Sequence, residues 1–269
     1  MGATLQYEEI MGFAFAAQMG ANLRSIVYYV DGLLIDTGHT HAARQVLSEV
    51  VDLPVDQMVV THHHEDHSAN IGLLEKHFDC PVYSSKLCVQ LMKTARDDIN
   101  YARRRSWGVS PIYRKLKVIG DVVQTKHHTF QVIPVPGHAE DMIALYEPDR
   151  KWLFSADVYL ARRIQYFMTG ESMAQQISSI KRLLELDFDA LICSHNPVWE
   201  GGKARLSEKL DFLEQTFDRI QELHEQGLSI RSIQRQLNMK EHWVTRVLSG
   251  GNLSAKNIVR SVIRDLHSR

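Results

Sequence analysis

The sequence predicts a layered α/β architecture with an all-helical extension at its C-terminal end. Three features carry that expectation. Apolar segments of strand length alternate with amphipathic segments through two successive halves of the chain. Turn residues such as Asp31 and Gly32 separate them. From residue 204 onward the strand-like segments cease, and apolar positions recur at helical spacing alone. The expected division is one domain at 1–203 and a helical region at 204–269, helix-turn-helix-like in part.

Residues 25–38, SIVYYVDGLLIDTG, read as two strands joined at Asp31–Gly32, because Val, Ile and Tyr suit a pleated sheet. Residues 40–50 read as a helix. DQMVVTHHH (56–64) is a short apolar strand that runs into histidines. Helices are expected at 69–78 and 86–97, on either side of a strand in CPVYSS. Residues 98–117 are basic and aromatic and show no clear period. HTFQVIPVPGH, DMIALYEPD and KWLFSADVY read as strands, followed by a helix near 172–186 and the strand ALICSH. Leu206, Leu210, Leu213, Phe217, Ile220 and Leu223 then recur three and four apart. They form the apolar stripe of a helix over 204–226 that Gly227 ends, and this helix is expected to wall the functional cleft. Shorter helices at 229–237, 240–248 and 254–267 complete a small subdomain with apolar positions that include Ile233, Trp243, Val247, Ile258 and Val262.

With 269 residues, 44% hydrophobic and 23% charged, the chain has ordinary globular composition and can bury a sizeable core. A net charge of −1 singles out no partner, but residues 228–269 hold eight Lys/Arg against two acids, so the tail is +6 and the rest −7. Cys80, Cys88 and Cys193 form no CxxC pair, which suits a reducing compartment and a cytoplasmic protein. The stretch MGFAFAAQMGAN (11–22) is polar-interrupted and lacks a preceding basic segment, so it does not read as a signal peptide. No run approaches the ~20 apolar residues that a membrane span needs, and no membrane partner is expected.

The densest signal is THHHEDH, residues 61–67, with four histidines and two acids in six positions. In extended backbone, side chains alternate faces, so His62 and His64 point one way and His63 the other. The following turn brings Asp66 and His67 to the same mouth. Zinc prefers imidazole and carboxylate donors, and two ions sharing these four side chains would each be short of ligands. His138 in PVPGHAEDM, Asp157 in FSADVY and His195 in LICSHNP each follow an apolar strand and precede a turn. All three can gather on one sheet edge, which makes seven donors. Asp36 is a candidate to orient the ligands from behind. His39, His41, His127 and His128 have no such pattern and are not expected to bind metal.

In these residues the chain resembles the metallo-β-lactamase-fold hydrolases. His62, His64, Asp66 and His67 match the family's His-x-His-x-Asp-His run, and His138, Asp157 and His195 match its later histidine, bridging aspartate and final histidine. LLIDTG, with Asp36 and Gly38, matches an early strand and turn, and the resemblance covers about residues 20–200. It implies an αββα sandwich with the site along one edge of two sheets. It also implies that His62, His64 and His138 hold one metal, that Asp66, His67 and His195 hold a second, and that Asp157 bridges them. The implied cofactor is two Zn2+ ions, with Fe or Mn compatible with the same donors.

The implied chemistry is hydrolysis by a hydroxide shared between two ions roughly 3.5–4 Å apart, with Asp66 passing a proton to the leaving group. No GxSxG run competes with it. Tyr159, two residues past Asp157, is a candidate to hydrogen-bond a substrate carbonyl. Asp157 replaces the cysteine of two-zinc β-lactamases, and His64 replaces the glutamate of the diiron flavoproteins, which disfavours both activities. No glutathione-binding basic set stands out in the C-terminal region, which argues against a dedicated hydroxyacylglutathione hydrolase. A small ester, thioester or lactone is therefore the expected substrate. The alternatives are a metal-dependent nuclease or phosphodiesterase using the basic C-terminal helices, a mono-iron persulfide dioxygenase, and a non-catalytic ligand sensor. Arg103 to Arg105, Arg162 and Arg163 are candidates to meet an anionic substrate or to form a solvated face. A homodimer is compatible with all of these readings.

Overall fold

The computed structural model describes residues 3–19, 23–94, 100–109, 111–241 and 243–268. Parts of three expected segments, at 95–99, 110 and 242, lie outside them. Two sheets form the centre. The first comprises β1 (Ala3–Tyr7), β2 (Ile10–Ala16), β3 (Arg24–Val30), β4 (Leu33–Ile35), β5 (Gln57–Val59), β6 (Val82–Ser84) and β7 (Lys117–Val118), in sequential order. The second comprises β8 (Val122–Gln124), β9 (Thr129–Pro134), β10 (Ile143–Glu147), β11 (Trp152–Ala156) and β12 (Ala190–Cys193). Its order is β12-β11-β10-β9-β8, with β11 and β12 parallel.

Alternation along the strands builds the layers. From β3, Ile26, Tyr28 and Val30 enter the core between the sheets, while Val27 joins the outer cluster on the other face. From β10 and β11, Ile143, Leu145, Trp152 and Phe154 enter the same inter-sheet core, and Ala144, Tyr146 and Leu153 face away from it. Helices α1 (Ala43–Val50), α3 (Ile71–Phe78) and α4 (Lys86–Leu91) cover the first sheet. Helices α6 (Met173–Leu184), α7 (Gly202–Glu225), α8 (Ile230–Gln236) and α10 (Ala255–His267) cover the second. The result is the αββα sandwich. Two short helices lie between the layers' main elements: α2 (Glu65–Ser68) in the histidine loop and α5 (Tyr101–Trp107) in the basic insert.

The β3–β4 hairpin turns on Asp31 (φ 46°) and Gly32 (φ 82°), both left-handed, as a two-residue turn requires. The hairpin of β1 and β2 has no strong sequence signal. Its second strand, IMGFAFA, has one β-branched residue, Ile10, and dilutes its two Phe with Ala, Gly and Met, yet it pairs with β3 over six residues.

In the helical extension, Leu206, Leu213, Phe217, Ile220 and Leu223 of α7 are buried, in one core with Ile180, Leu183, Ile258 and Val262. The extension therefore shares its core with the second sheet. Six of its basic side chains (Arg231, Arg235, Lys240, Arg246, Arg260 and Arg264) are exposed. Two expectations need correction. Trp243 and Val247, on α9 (Trp243–Leu248), are 72% and 66% exposed and do not join the core. And it is Leu253, in the turn before α10, that reaches the cleft described below, whereas α7 lies behind the second sheet.

Candidate metal centre

Strand β5 ends at Val59, the chain bends at His62 and His63, and His64 (φ −63°, ψ 150°) leads into α2. That geometry sends His62 and His64 to one side. His62 Nε2 and His64 Nδ1 approach to 3.0 Å, and His138 Nε2 lies 3.1 Å from the same His64 nitrogen. The single turn of α2 then places Asp66 and His67. His67 Nε2 lies 3.5 Å from both Asp66 Oδ2 and Asp157 Oδ1. His195 Nε2 lies 3.4 Å from Asp66 Oδ2 and 3.1 Å from Asp157 Oδ2, and Asp157 Oδ2 is 3.3 Å from His138 Nε2. The structure thus brings together all seven side chains singled out in the sequence. They form three overlapping groups, His62–His64–His138, His62–His67–Asp157 and Asp66–His67–His195, each with donor atoms within 4.8 Å of one another. His138 follows β9, and Asp157 and His195 follow the adjacent strands β11 and β12, so sheet order delivers them to one edge.

The donor chemistry fits a cation. His67 Nε2 and Asp157 Oδ1 are buried, face each other and have no hydrogen-bond partner among the described residues. Such orphaned buried atoms are costly unless something satisfies them. Burial holds the His62 and His64 imidazoles well below their usual range, in the neutral form that donates a lone pair. At His67, burial alone would do the same, but Asp66, Asp157 and Asp36 outweigh it and raise the pKa well above normal. At His195, burial is likewise outweighed, by Asp157 and Asp66, and the pKa rises to about 8. Burial works against the Asp66 carboxylate, yet His67 and His195 bring its pKa down to about 2. Two buried carboxylates thus create a negative well that a divalent ion would neutralise.

Partners behind the ring fix the imidazoles. Asp36, itself left-handed at φ 63°, accepts from His67 Nδ1 at 2.8 Å, from Thr61 N at 2.8 Å and from Thr61 Oγ1 at 3.0 Å. Thr61 Oγ1 lies 3.1 Å from His62 Nδ1, so one carboxylate steadies two rings. His195 Nδ1 donates to the Arg24 carbonyl. His63 turns away and pairs with buried Asp141, which bonds its ring at 2.7 Å and its backbone N–H at 2.8 Å. No local sequence pattern points to this tie between two loops 78 positions apart.

Glu65 and Arg103 form another buried pair. Arg103 Nε and Nη2 donate to Glu65 Oε1 and Oε2 at 2.6 and 2.5 Å, a two-point contact. The expectation that Arg103 meets an anionic substrate or solvent is corrected in part: its guanidinium ties α5 to the histidine loop, although the residue also lines the cleft. Tyr159 needs a fuller correction. At the end of β11, Ala156 adopts φ 46° and Val158 N donates to Ser155 O at 3.1 Å. That tight turn sends Val158 and Tyr159 into the second sheet's core, where Tyr159 is 4% exposed and does not line the cleft. His39 packs against Trp107, His41 bonds the Arg104 carbonyl, His127 pairs with Asp31 and His128 with Glu147; none joins the seven.

Above the seven lies a cleft of about 1100 Å³. His64, Asp66, His138, Asp157 and His195 line its floor, and Leu23, Trp107, Leu160, Ile164, Met168 and Leu253 give it an apolar wall.

Comparison with known proteins agrees with this fold. A family model described as the metallo-beta-lactamase superfamily matches residues 25–195. An "Uncharacterized protein" of Aquifex aeolicus is 31% identical over 170 residues, 61% of this chain and 78% of that one. A hydroxyacylglutathione hydrolase of Bdellovibrio bacteriovorus is 30% identical over 144 residues, 53% of this chain and 50% of its own. The chain thus spans about half the length of that hydrolase. A beta-lactamase-like protein 2 homolog of Caenorhabditis elegans is 24% identical over 87% of this chain and 74% of its own. Among solved structures, a metallo-beta-lactamase from Pontibacter korlensis superposes with a TM-score of 0.61 at 20% identity, over 80% of this chain and 99% of that one. A double mutant of the sec-alkyl sulfatase PisA1 gives 0.74 at 16% identity, over 97% of this chain and 49% of that one. At these identities the structural likeness concerns the fold.

Proposed function

The chain belongs to the metallo-beta-lactamase superfamily, and on that premise we propose that it hydrolyses a small ester, thioester or lactone at a centre for two divalent ions, zinc first. The observation that carries this reading is the convergence of seven donors around two orphaned buried atoms, His67 Nε2 and Asp157 Oδ1. We assign His62, His64 and His138 to one ion, Asp66, His67 and His195 to the other, and Asp157 to both. When bound, such ions supply a Lewis acid for the substrate oxygen and lower the pKa of water to about 7.

The protein's own residues do the rest. Asp157 commits Oδ1 toward His67 and Oδ2 toward His138 and His195, so it joins the two groups of donors. Asp66 commits Oδ2 to His67 and His195, and we assign its other oxygen to carry a proton to the leaving group. Asp36 and the Arg24 carbonyl keep His67 and His195 oriented. The apolar wall binds the acyl part of the substrate and excludes water from one side of it. The division at 203/204 stands as a functional proposal, with the helical region buttressing the site. We place the protein in the cytoplasm because its three cysteines are buried and unpaired, and among the described residues no helix is long and apolar enough to cross a membrane.

The test is elemental analysis of the purified protein together with para-nitrophenyl ester, lactone, thioester and bis-phosphodiester substrates. Close to two zinc ions per chain and chelator-sensitive turnover of an ester, thioester or lactone are expected. Turnover of the phosphodiester alone would replace this reading by a phosphodiesterase. One tightly bound iron without zinc would favour the dioxygenase.

A further inference from the structure

The ring nitrogens that point away from the centre are not all held by nearby residues. His67 has Asp36, His62 has Thr61 and His195 has the Arg24 carbonyl. His138 Nδ1 is buried and makes no hydrogen bond among the described residues. The carboxylate beside it is Glu171, with Oε2 at 3.4 Å. Glu171 is 8% exposed and firmly set: Oε1 accepts from Met168 N at 2.7 Å and Oε2 from Gln176 Nε2 at 2.8 Å.

The segment that carries Glu171 is fastened to the C-terminal helix. Phe167 and Ser254 exchange backbone hydrogen bonds at 3.3 and 3.1 Å. Arg264 Nη2 donates to the Glu171 carbonyl at 2.5 Å. Met173 N donates to Ser261 Oγ at 2.8 Å. Buried Asp265 accepts from Ser172 Oγ at 3.0 Å and from Ala174 N at 2.9 Å. A buried carboxylate is costly unless hydrogen-bonded, so Asp265 fixes both ends of that contact. Ser172 N, in turn, donates to the Gly137 carbonyl, next to His138, at 2.9 Å.

We propose that Glu171 is a positioning residue for His138, and that helix α10 sets it through Arg264, Ser261 and Asp265. The C-terminal region then governs how firmly the His62–His64–His138 group holds its ion. A histidine ligand whose outer N–H meets a carboxylate is fixed in tautomer and ring plane and becomes a better donor. This inference rests on the metal-centre reading above and adds a route from the tail to one of the two ions.

The experiment titrates the metal-free full-length protein with Zn2+ against a chromophoric chelator, and records Co2+ absorption spectra, for wild type, Glu171→Ala, Glu171→Gln, Ser261→Ala and Asp265→Ala. In Glu171→Ala, one of two equivalents should weaken by roughly 10–100-fold while the other stays tight, with a changed Co2+ spectrum. Glu171→Gln, which keeps an acceptor oxygen, should restore part of the loss. Ser261→Ala and Asp265→Ala should weaken the same equivalent by less, and the metal-free melting temperature of both Glu171 variants should stay close to wild type. Wild-type affinity and spectrum in Glu171→Ala would overturn the proposal. Equal weakening of both ions with a lowered metal-free melting temperature would also overturn it, by showing a general structural role. Failure of the wild type itself to bind either metal would instead overturn the metal-centre reading beneath it.

Discussion

The two sides of the candidate metal centre are built differently. On the side of the first sheet, His62, His64, Asp66 and His67 come from six consecutive positions, and Asp36, Thr61 and the Glu65–Arg103 pair hold them from adjacent strand ends and an insert. On the side of the second sheet, His138, Asp157 and His195 come from three separate loops. Their supports arrive from far along the chain: Glu171 for His138, the Arg24 carbonyl for His195, and fully buried Lys209 of α7, which donates to the carbonyl of Val158 beside Asp157. The first side is specified by a compact motif. The second depends on sheet order and on the helical layer behind it, so damage to that layer should reach the chemistry.

The sharpest way to break the first side is Arg103→Met. Removing the guanidinium takes the two-point partner from Glu65, which is 0% exposed, and breaking a buried ion pair from one side costs about 3–5 kcal/mol. Urea unfolding should show a loss of that order, and Glu65→Gln combined with Arg103→Met should recover much of it. A cost below about 1 kcal/mol would mean that the pair does not hold the histidine loop.

The residues that join the two sides come next. Asp157→Asn or His138→Ala should lower turnover of the responsive panel substrate at least about a hundredfold, as loss of a charge-stabilising group does. Steady-state rates at saturating zinc would measure it, and a loss under tenfold would remove Asp157 from its joining role.

For the second side, pH is the probe. Burial pushes the Lys209 ammonium down to about 8 from 10.5. Between those values the unfolded chain binds a proton that the folded one lacks, so stability should rise with pH there. Below about pH 8 the penalty of burying the charge is present in full. The gain from pH 7 to pH 10 should be about 2 kcal/mol for this group and should vanish in Lys209→Met. Parallel urea titrations of the two proteins would show it; parallel slopes would mean that Lys209 keeps its ordinary pKa.

The smallest effect is expected at His63. Its ring lies outside the seven donors, so His63→Ala should cost under about tenfold in rate. It should also cost about 1–3 kcal/mol in stability, because buried Asp141 keeps only the His63 backbone N–H of its two bonds to that residue. Equal rate losses for His62→Ala and His63→Ala would show that the alternation argument fails.

Much of the architecture was legible in the chain. The Asp31–Gly32 turn, the strands that end before His138, Asp157 and His195, and the α7 stripe all follow from local preference and period. The β1–β2 hairpin and α5 were not. The first has only Thr4 and Ile10 as β-branched residues and is held by pairing with β3, and the second is tied by Arg103 to Glu65, 38 positions away.

By itself the sequence singled out seven side chains that could share ions, because histidines and aspartates placed just past apolar strands gather at sheet edges. It also determined that the last quarter of the chain is helical. Only the tertiary structure decided which groups stand behind them. Asp141 meets His63 across 78 positions, Glu171 meets His138 across 33, and Tyr159 leaves the cleft because a left-handed Ala156 turns the chain into the core. No local rule sets contacts of this kind, because they depend on how two sheets and a helical layer pack, and that packing is fixed by the summed burial of residues scattered along the whole chain.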